Sequence, residues 1–139
     1  MTIDGRHLLI WRHADAGPQF WDPAQDFERA LTAQGIKDAL QTANWLRRQL
    51  PEHFVLLASP APRAWQTACQ LGEPKVLNNL APDRSVHDLL PVLAEHWPNS
   101  KMPVVVVGHL PMVGDLIQSL VDTPDSGYLV FDKSSVYCI

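Results

Sequence analysis

What this sequence has little of narrows it first. It holds two cysteines in 139 residues, Cys69 in a helical pattern and Cys138 in a strand pattern, with no metal-ligand spacing around them. A disulfide scaffold and a zinc module are set aside, and both thiols read as buried and reduced. Long apolar runs are missing too. The amino-terminal run Leu8 to Trp11 has four residues, too few for a signal-peptide core or a membrane span, and no other stretch approaches membrane length. Clusters of positive charge are also absent. Lys and Arg total 11 against 15 Asp and Glu, scattered along a chain of net charge −4, which argues against nucleic-acid and membrane-surface partners. With no internal repeat, low-complexity tract or linker, residues 1–139 read as a single domain, soluble and cytoplasmic.

What is present is organised around LLIWRHAD, residues 8–15. A short apolar run reads as a buried strand, here delivering Arg12 and His13 at its carboxyl end. In open parallel sheets that end is where ligands sit. The pattern recurs: Phe54 to Ala58 leads into Ser59, Pro60 and Arg63, and Val104 to Val107 leads into Gly108 and His109. If these strands are parallel neighbours, Arg12, His13, Arg63 and His109 converge on one pocket. Two arginines and two histidines with no carboxylate fixed among them describe a phosphate site.

Between these strands the chain alternates. The loop after His13 holds prolines, Gly17 and the aromatics Phe20, Trp21 and Phe27, and reads as irregular. Its aromatics either contact a partner or fold the loop onto the domain. Thr32 suits an N-cap, and Ile36, Ala39, Leu40, Ala43, Leu46 and Leu50 form one apolar stripe that Pro51 closes. Gly35 is out of place in this helix, at a cost of about 1 kcal/mol against Ala. Ser59 reads as the next cap, with Pro60 or Pro62 in the first turn and Arg63 near the positive end of the helix dipole. Lys75 to Leu77 is a weakly marked strand. A helix follows from Val86, kinked or restarted at Pro91. Four consecutive valines, Val104 to Val107, imply a central strand buried on both faces, and Pro111 opens the last helix. The tail reads as two strands, Tyr128 to Phe131 and Ser135 to Ile139, turning at Asp132 and Lys133. Strict β-α alternation predicts an α/β fold, a mainly parallel central sheet between two helical layers.

Phosphoryl transfer asks a protein mostly for positioning and charge neutralisation. Arginine grips two phosphate oxygens with a planar fork. A neutral histidine can be the nucleophile of a covalent intermediate. Neighbouring guanidiniums and partial burial push the His13 pKa down, the useful direction. His109 can donate a hydrogen bond to a phosphate oxygen. No cofactor or metal is required. Gln66, Thr67, Asp88 and the histidines 7, 53, 87 and 96 read as structural or surface groups.

At these residues the chain resembles the histidine phosphatase superfamily, and within it the small SixA-like phosphohistidine phosphatase branch. The carriers are Arg12-His13-Ala14, Leu31-Thr32 with Gly35, the Ser59-Pro60-x-x-Arg63-Ala64-x-Gln66-Thr67 run, and the late valine strand ending in His109-Leu110-Pro111. The resemblance implies the phosphoglycerate mutase-like three-layer α/β/α sandwich in a minimal, uncapped form. It further implies His13 as the phosphorylated nucleophile, with Arg12, Arg63 and His109 as the phosphate pocket. Ala14 stands where the family has Gly, which asks that the backbone there need no positive φ. Relatives acting on small esters carry a cap and a glutamate acid. Here only about 35 residues separate Arg63 from the end of the third helix, leaving no room for a cap, and only Asp83 or Asp15 stands in for the acid. The expected substrate is a phosphohistidine-bearing protein, such as a histidine-phosphotransfer domain or a phosphotransferase-system carrier. The alternatives are a small-molecule phosphomonoesterase using the same nucleophile and a non-catalytic phosphate-binding module. The chain stops at Ile139, about where relatives continue into further sheet structure, which puts the sheet edge in question and not the site.

Overall fold

A computed structural model describes residues 3–121 and 132–139. Its elements are β1 (Leu8–Arg12), α1 (Pro23–Phe27), α2 (Ala33–Gln49), β2 (Val55–Ala58), α3 (Pro62–Cys69), β3 (Lys75–Val76), a 3₁₀ turn (Asn78–Leu80), α4 (Val86–Leu93), β4 (Val104–Gly108), α5 (Met112–Leu120) and β5 (Val136–Cys138). The sheet order is β3-β2-β4-β1-β5, parallel throughout except for β5, which runs antiparallel to β1. The valine strand lies at the centre, and every residue of β4 is buried, as a strand covered on both faces requires.

Alternation along the strands sends side chains to two cores. Leu9, Trp11, Leu56, Ala58, Val105 and Val107 pack under the helices α2 and α3, with Ala39, Ala43, Ala64 and Ala68. Leu8, Ile10, Leu57, Val104 and Val106 pack with Leu89 and Leu93 of α4 and Val113, Leu116 and Ile117 of α5 on the opposite face. The result is the three-layer α/β/α sandwich.

Local departures from the sequence reading have physical causes. The loop after His13 contains one short helix, α1, with Pro23 in its first turn, where the missing N–H is harmless. The buried stripe of α2 is Gly35, Ala39, Ala43 and Leu46, while Ile36 and Leu40 are 46% and 43% exposed. Small residues face the sheet because the helix lies close to it. Thr32 does cap α2, accepting the Gly35 N–H at 3.0 Å. Ser59 does not cap α3; the N-cap is Ala61, and Ser59 is engaged at the site described below. Helix α4 begins at Val86, capped by a Ser85–Asp88 box, and carries Pro91 within it. Cys69 and Cys138 are free and half-buried, rather than fully buried. The expected strand from Tyr128 to Phe131 lies outside the described residues. The turn that follows it is present, with Ser134 at φ 64°.

Gly35 has a clear reason. A Cβ there would sit 2.1 Å from the Asp15 carbonyl oxygen, so the loop leaving β1 crosses the first turn of α2 too closely for any side chain. Thr32 fastens the crossing, its N–H donating to that carbonyl at 3.0 Å and its hydroxyl to Asp15 Oδ2 at 2.8 Å. Gly35→Ala is therefore expected to lower stability by about 1–3 kcal/mol, the usual cost of overpacking a rigid contact, despite alanine's better helix propensity. Thermal unfolding of the variant checks this; an unchanged or raised Tm would mean the loop yields freely.

Candidate active site

Strand register builds the site. Arg12 pairs with Gly108 and Ala58 with Val107, so the residues just past the three strand ends are neighbours. The ladder continues beyond the strands, with His13 N–H donating to the Gly108 carbonyl at 3.0 Å and Ser59 N–H to that of Val107 at 3.1 Å. His13, Ser59 and His109 thus stand on adjacent tips. Arg63 enters from the first turn of α3. The structure brings together the four residues singled out from the sequence.

Both histidines are buried, and their ring centroids are 5.1 Å apart with planes tilted by 52°. His13 Nδ1 lies 2.7 Å from the Ala14 carbonyl oxygen. A carbonyl can only accept, so the proton sits on Nδ1 and Nε2 carries the free lone pair. Burial holds the His13 pKa down at about 4, with Arg63, Arg12 and Arg29 adding repulsion and the Ala14 hydrogen bond opposing. His109 is pushed further down, by burial first and then by His13 and the three arginines. Burial also disfavours the charged forms of Arg12 and Arg63. A cationic pocket whose charges are partly stripped of water favours a bound dianion.

Titration gives the first check on this arrangement. The His13 ring, followed by NMR in the free protein, is expected to stay neutral through pH 5 and protonate with a midpoint about 4. A midpoint near 6.5, the ordinary histidine value, would contradict the burial argument. Because unfolding releases both histidines to that ordinary value, the unfolded chain binds more protons below it. Stability should accordingly fall as pH drops from about 6.5 towards 4.

Several groups that the sequence left as structural turn out to position the site. Thr67 Oγ1 accepts the Ala14 N–H at 3.0 Å and donates to the Arg63 carbonyl at 2.7 Å, locking the turn after His13 to α3. Gln66 Oε1 accepts the Leu31 N–H at 2.8 Å and fixes the far end of the same loop. Ala14 is fully buried and needs no positive φ, so its methyl replaces the family's glycine without strain.

Arg29 was missed. It is 9% exposed, donates through Nη1 to the Gly17 carbonyl at 2.9 Å, and pairs through Nε with Asp26 Oδ1 at 2.8 Å. Its charge reaches both histidines and Arg63. The one sequence signal was an arginine directly before the Ala30-Leu31-Thr32 cap, in a loop without periodicity.

Asp15 is a poor proton donor. The Thr32 hydroxyl and Lys133, 3.0 Å from Oδ1, hold its carboxyl below the ordinary range. Asp83 instead lines an open cavity of about 350 Å³ with Pro23, Asp26, Phe27, Pro82 and Arg63. Phe27 is thus part of the cavity wall, whereas Phe20 and Trp21 face solvent. Only the 3₁₀ turn and α4 occur between β3 and β4, so the cavity has no helical cap. Among the described residues, no cluster of three His, Cys, Asp or Glu could hold a metal ion, and no helix is long and apolar enough to cross a membrane.

Comparison with known proteins agrees with this fold. Residues 8–84, more than half the chain, match the histidine phosphatase superfamily, branch 1. The chain is 34% identical over 120 residues to phosphohistidine phosphatase SixA of Escherichia coli strain K12, covering 81% of this chain and 73% of that protein. The solved structure of the protein histidine phosphatase SixA complexed with tungstate superposes with a TM-score of 0.79 at 31% identity, over 95% of this chain and 86% of that one. A mycobacterial glucosyl-3-phosphoglycerate phosphatase shares the fold at 17% identity and a TM-score of 0.74, over 96% and 89% of the two chains.

Proposed function

Since the chain belongs to the histidine phosphatase superfamily, in its SixA-like branch, we propose that it removes phosphate from phosphohistidine on a protein, with His13 as nucleophile. The observation that carries this reading is the pinned imidazole of His13. It is neutral, with its Nδ1 proton engaged by Ala14 and Nε2 free beside His109, among three arginines. Nε2 attacks phosphorus; the P–N bond to the substrate imidazole breaks as the new P–N bond forms. Water then attacks phosphorus, returns the electron pair to His13 and releases inorganic phosphate. Arg12, Arg63 and His109 hold the phosphoryl oxygens during both transfers.

The substrate class rests on two features. The cavity is open, so a side chain presented on another protein can reach Arg63. No glutamate stands at the place of the family's acid, and Asp15 and Asp26 are both held ionised, leaving Asp83 as the remaining carboxyl of the cavity wall. A departing imidazole, with an ordinary pKa of about 6.5, needs far less acid help than an alkoxide. Both features favour phosphohistidine over a metabolite ester. The name of the Escherichia coli relative points the same way.

The test compares turnover of a phosphorylated histidine-phosphotransfer domain with that of an aryl phosphate, each with and without chelator. Fast loss of phosphohistidine, slow aryl ester hydrolysis and indifference to chelator are expected. The reverse preference would keep the fold and move the substrate to small molecules, and inhibition by chelator would reopen the mechanism.

A further inference from the structure

We propose that Ser59 is a positioning residue that holds His109 in its Nδ1–H tautomer, so that this histidine presents a hydrogen-bond donor to the phosphoryl group. The inference rests on the phosphatase reading only for what that donor meets; the tautomer itself stands on geometry.

Ser59 is fully buried and His109 is 3% exposed. Ser59 Oγ lies 2.7 Å from His109 Nε2 and accepts the Ala61 N–H at 3.1 Å. His109 Nδ1 is buried and has no hydrogen-bond partner among the described residues. A hydroxyl offers one proton and two lone pairs, and a neutral imidazole offers one N–H and one lone pair. The 2.7 Å contact can therefore be made in two ways. If His109 Nε2–H donated, Ser59 Oγ would accept two N–H groups, its own proton would have no acceptor, and Nδ1 would be a bare, unmatched lone pair. If Ser59 donates, its proton goes to Nε2, the Ala61 N–H fills one of its lone pairs, and only the Nδ1–H is left over. The first arrangement strands two buried groups and the second strands one. Unsatisfied buried groups are costly, so the second prevails.

The tautomer matters because His109 is neutral here. As an imidazolium it would donate from both nitrogens whatever Ser59 did. The groups facing it are His13 and Arg12 from the end of β1, Arg63 from α3 and Arg29 from the loop before α2, and all of them disfavour a proton. A neutral ring has one N–H to place, and a lone pair turned towards phosphate oxygens would repel them. The position explains why Ser59 is not the N-cap of α3: its hydroxyl serves the neighbouring strand tip, and Ala61 takes the cap.

The experiment begins with the wild-type protein, free and with inorganic phosphate, by long-range ¹H–¹⁵N correlation at the His109 ring. A protonated Nδ1 beside a lone-pair Nε2 is expected; a protonated Nε2 in neutral His109 overturns the proposal without any variant needing to fold. In Ser59→Ala nothing holds the proton on Nδ1. Aryl phosphate turnover is expected to fall by roughly 10- to 100-fold, somewhat less than the usual loss of an oxyanion donor. The variant's His109 ring, still neutral from pH 8 to 5, should lose its preference for the Nδ1–H tautomer in the same spectrum. Turnover unchanged in the variant, or a variant that keeps the Nδ1–H tautomer, contradicts the assignment. If the wild type hydrolysed no phosphate compound at all, the functional reading would fail while the spectrum still decided the tautomer.

Discussion

His13→Ala is expected to reduce turnover of phosphohistidine protein and aryl phosphate alike by about 10⁴-fold or more, the scale seen when a covalent nucleophile is removed. Among the described residues, neither the second buried imidazole nor a cysteine is placed to take over. The other buried imidazole, His109, has Nε2 committed to Ser59, and the half-buried Cys69 and Cys138 carry thiols that burial pushes away from the thiolate. The pocket itself should survive, because the strand-tip contact at this position comes from the His13 N–H and the Gly108 carbonyl, which alanine keeps. Two measurements separate the roles. Rapid mixing with a ³²P-labelled substrate should trap a phosphoenzyme in the wild type and none in the variant. Phosphate affinity should change far less than turnover, since Arg12, Arg63 and His109 remain. A variant that turned over within tenfold of wild type would move the nucleophile elsewhere and overturn the covalent route.

The same reasoning shows why the sequence was so readable at the site and less so around it. Arg12, His13 and His109 follow directly from strands, and strands announce themselves by apolar runs. Parallel register then does the rest, since residues one step past paired ends must be neighbours. The stripe of α2 was half legible. A 3.6-residue period marks the direction of the buried face but not its width, so Ile36 and Leu40 were included although Gly35, Ala39 and Ala43 make the close contact. Ser59 was misread for a different reason. Serine before proline at a helix start fits a cap from local sequence alone, whereas its actual partner, His109, lies fifty residues on. Arg29 is the hardest case. Its partners are loop carbonyls and Asp26, gathered by the folding of an aperiodic segment that local propensity does not describe. The groups hardest to read are those whose meaning depends on a loop, and three of them (Thr67, Gln66 and Arg29) serve to fix the loop that follows His13.

Arg63 is the second place where a large effect is expected. The residue is 4% exposed, its Nη1 donates to the Asp26 carbonyl at 3.0 Å, and its Nε is buried with no hydrogen-bond partner among the described residues. One edge of the fork thus ties the loop containing α1 to α3, and the rest is available to the phosphoryl oxygens. Arg63→Ala should lower kcat/KM by about 10²–10³, comparable to removing an oxyanion donor. The loss should be similar for the protein substrate and the aryl phosphate, because the phosphoryl group is common to both. Arg63→Lys should recover only part of it, since an ammonium restores charge without the planar fork. A merely structural role would predict otherwise: lower Tm from the freed Asp26 carbonyl, with turnover per folded molecule intact. Wild-type turnover in a stably folded Arg63→Ala protein would therefore remove this residue from the pocket. If instead only the protein substrate suffered, Arg63 would belong to the cavity wall that meets the partner, not to phosphate binding.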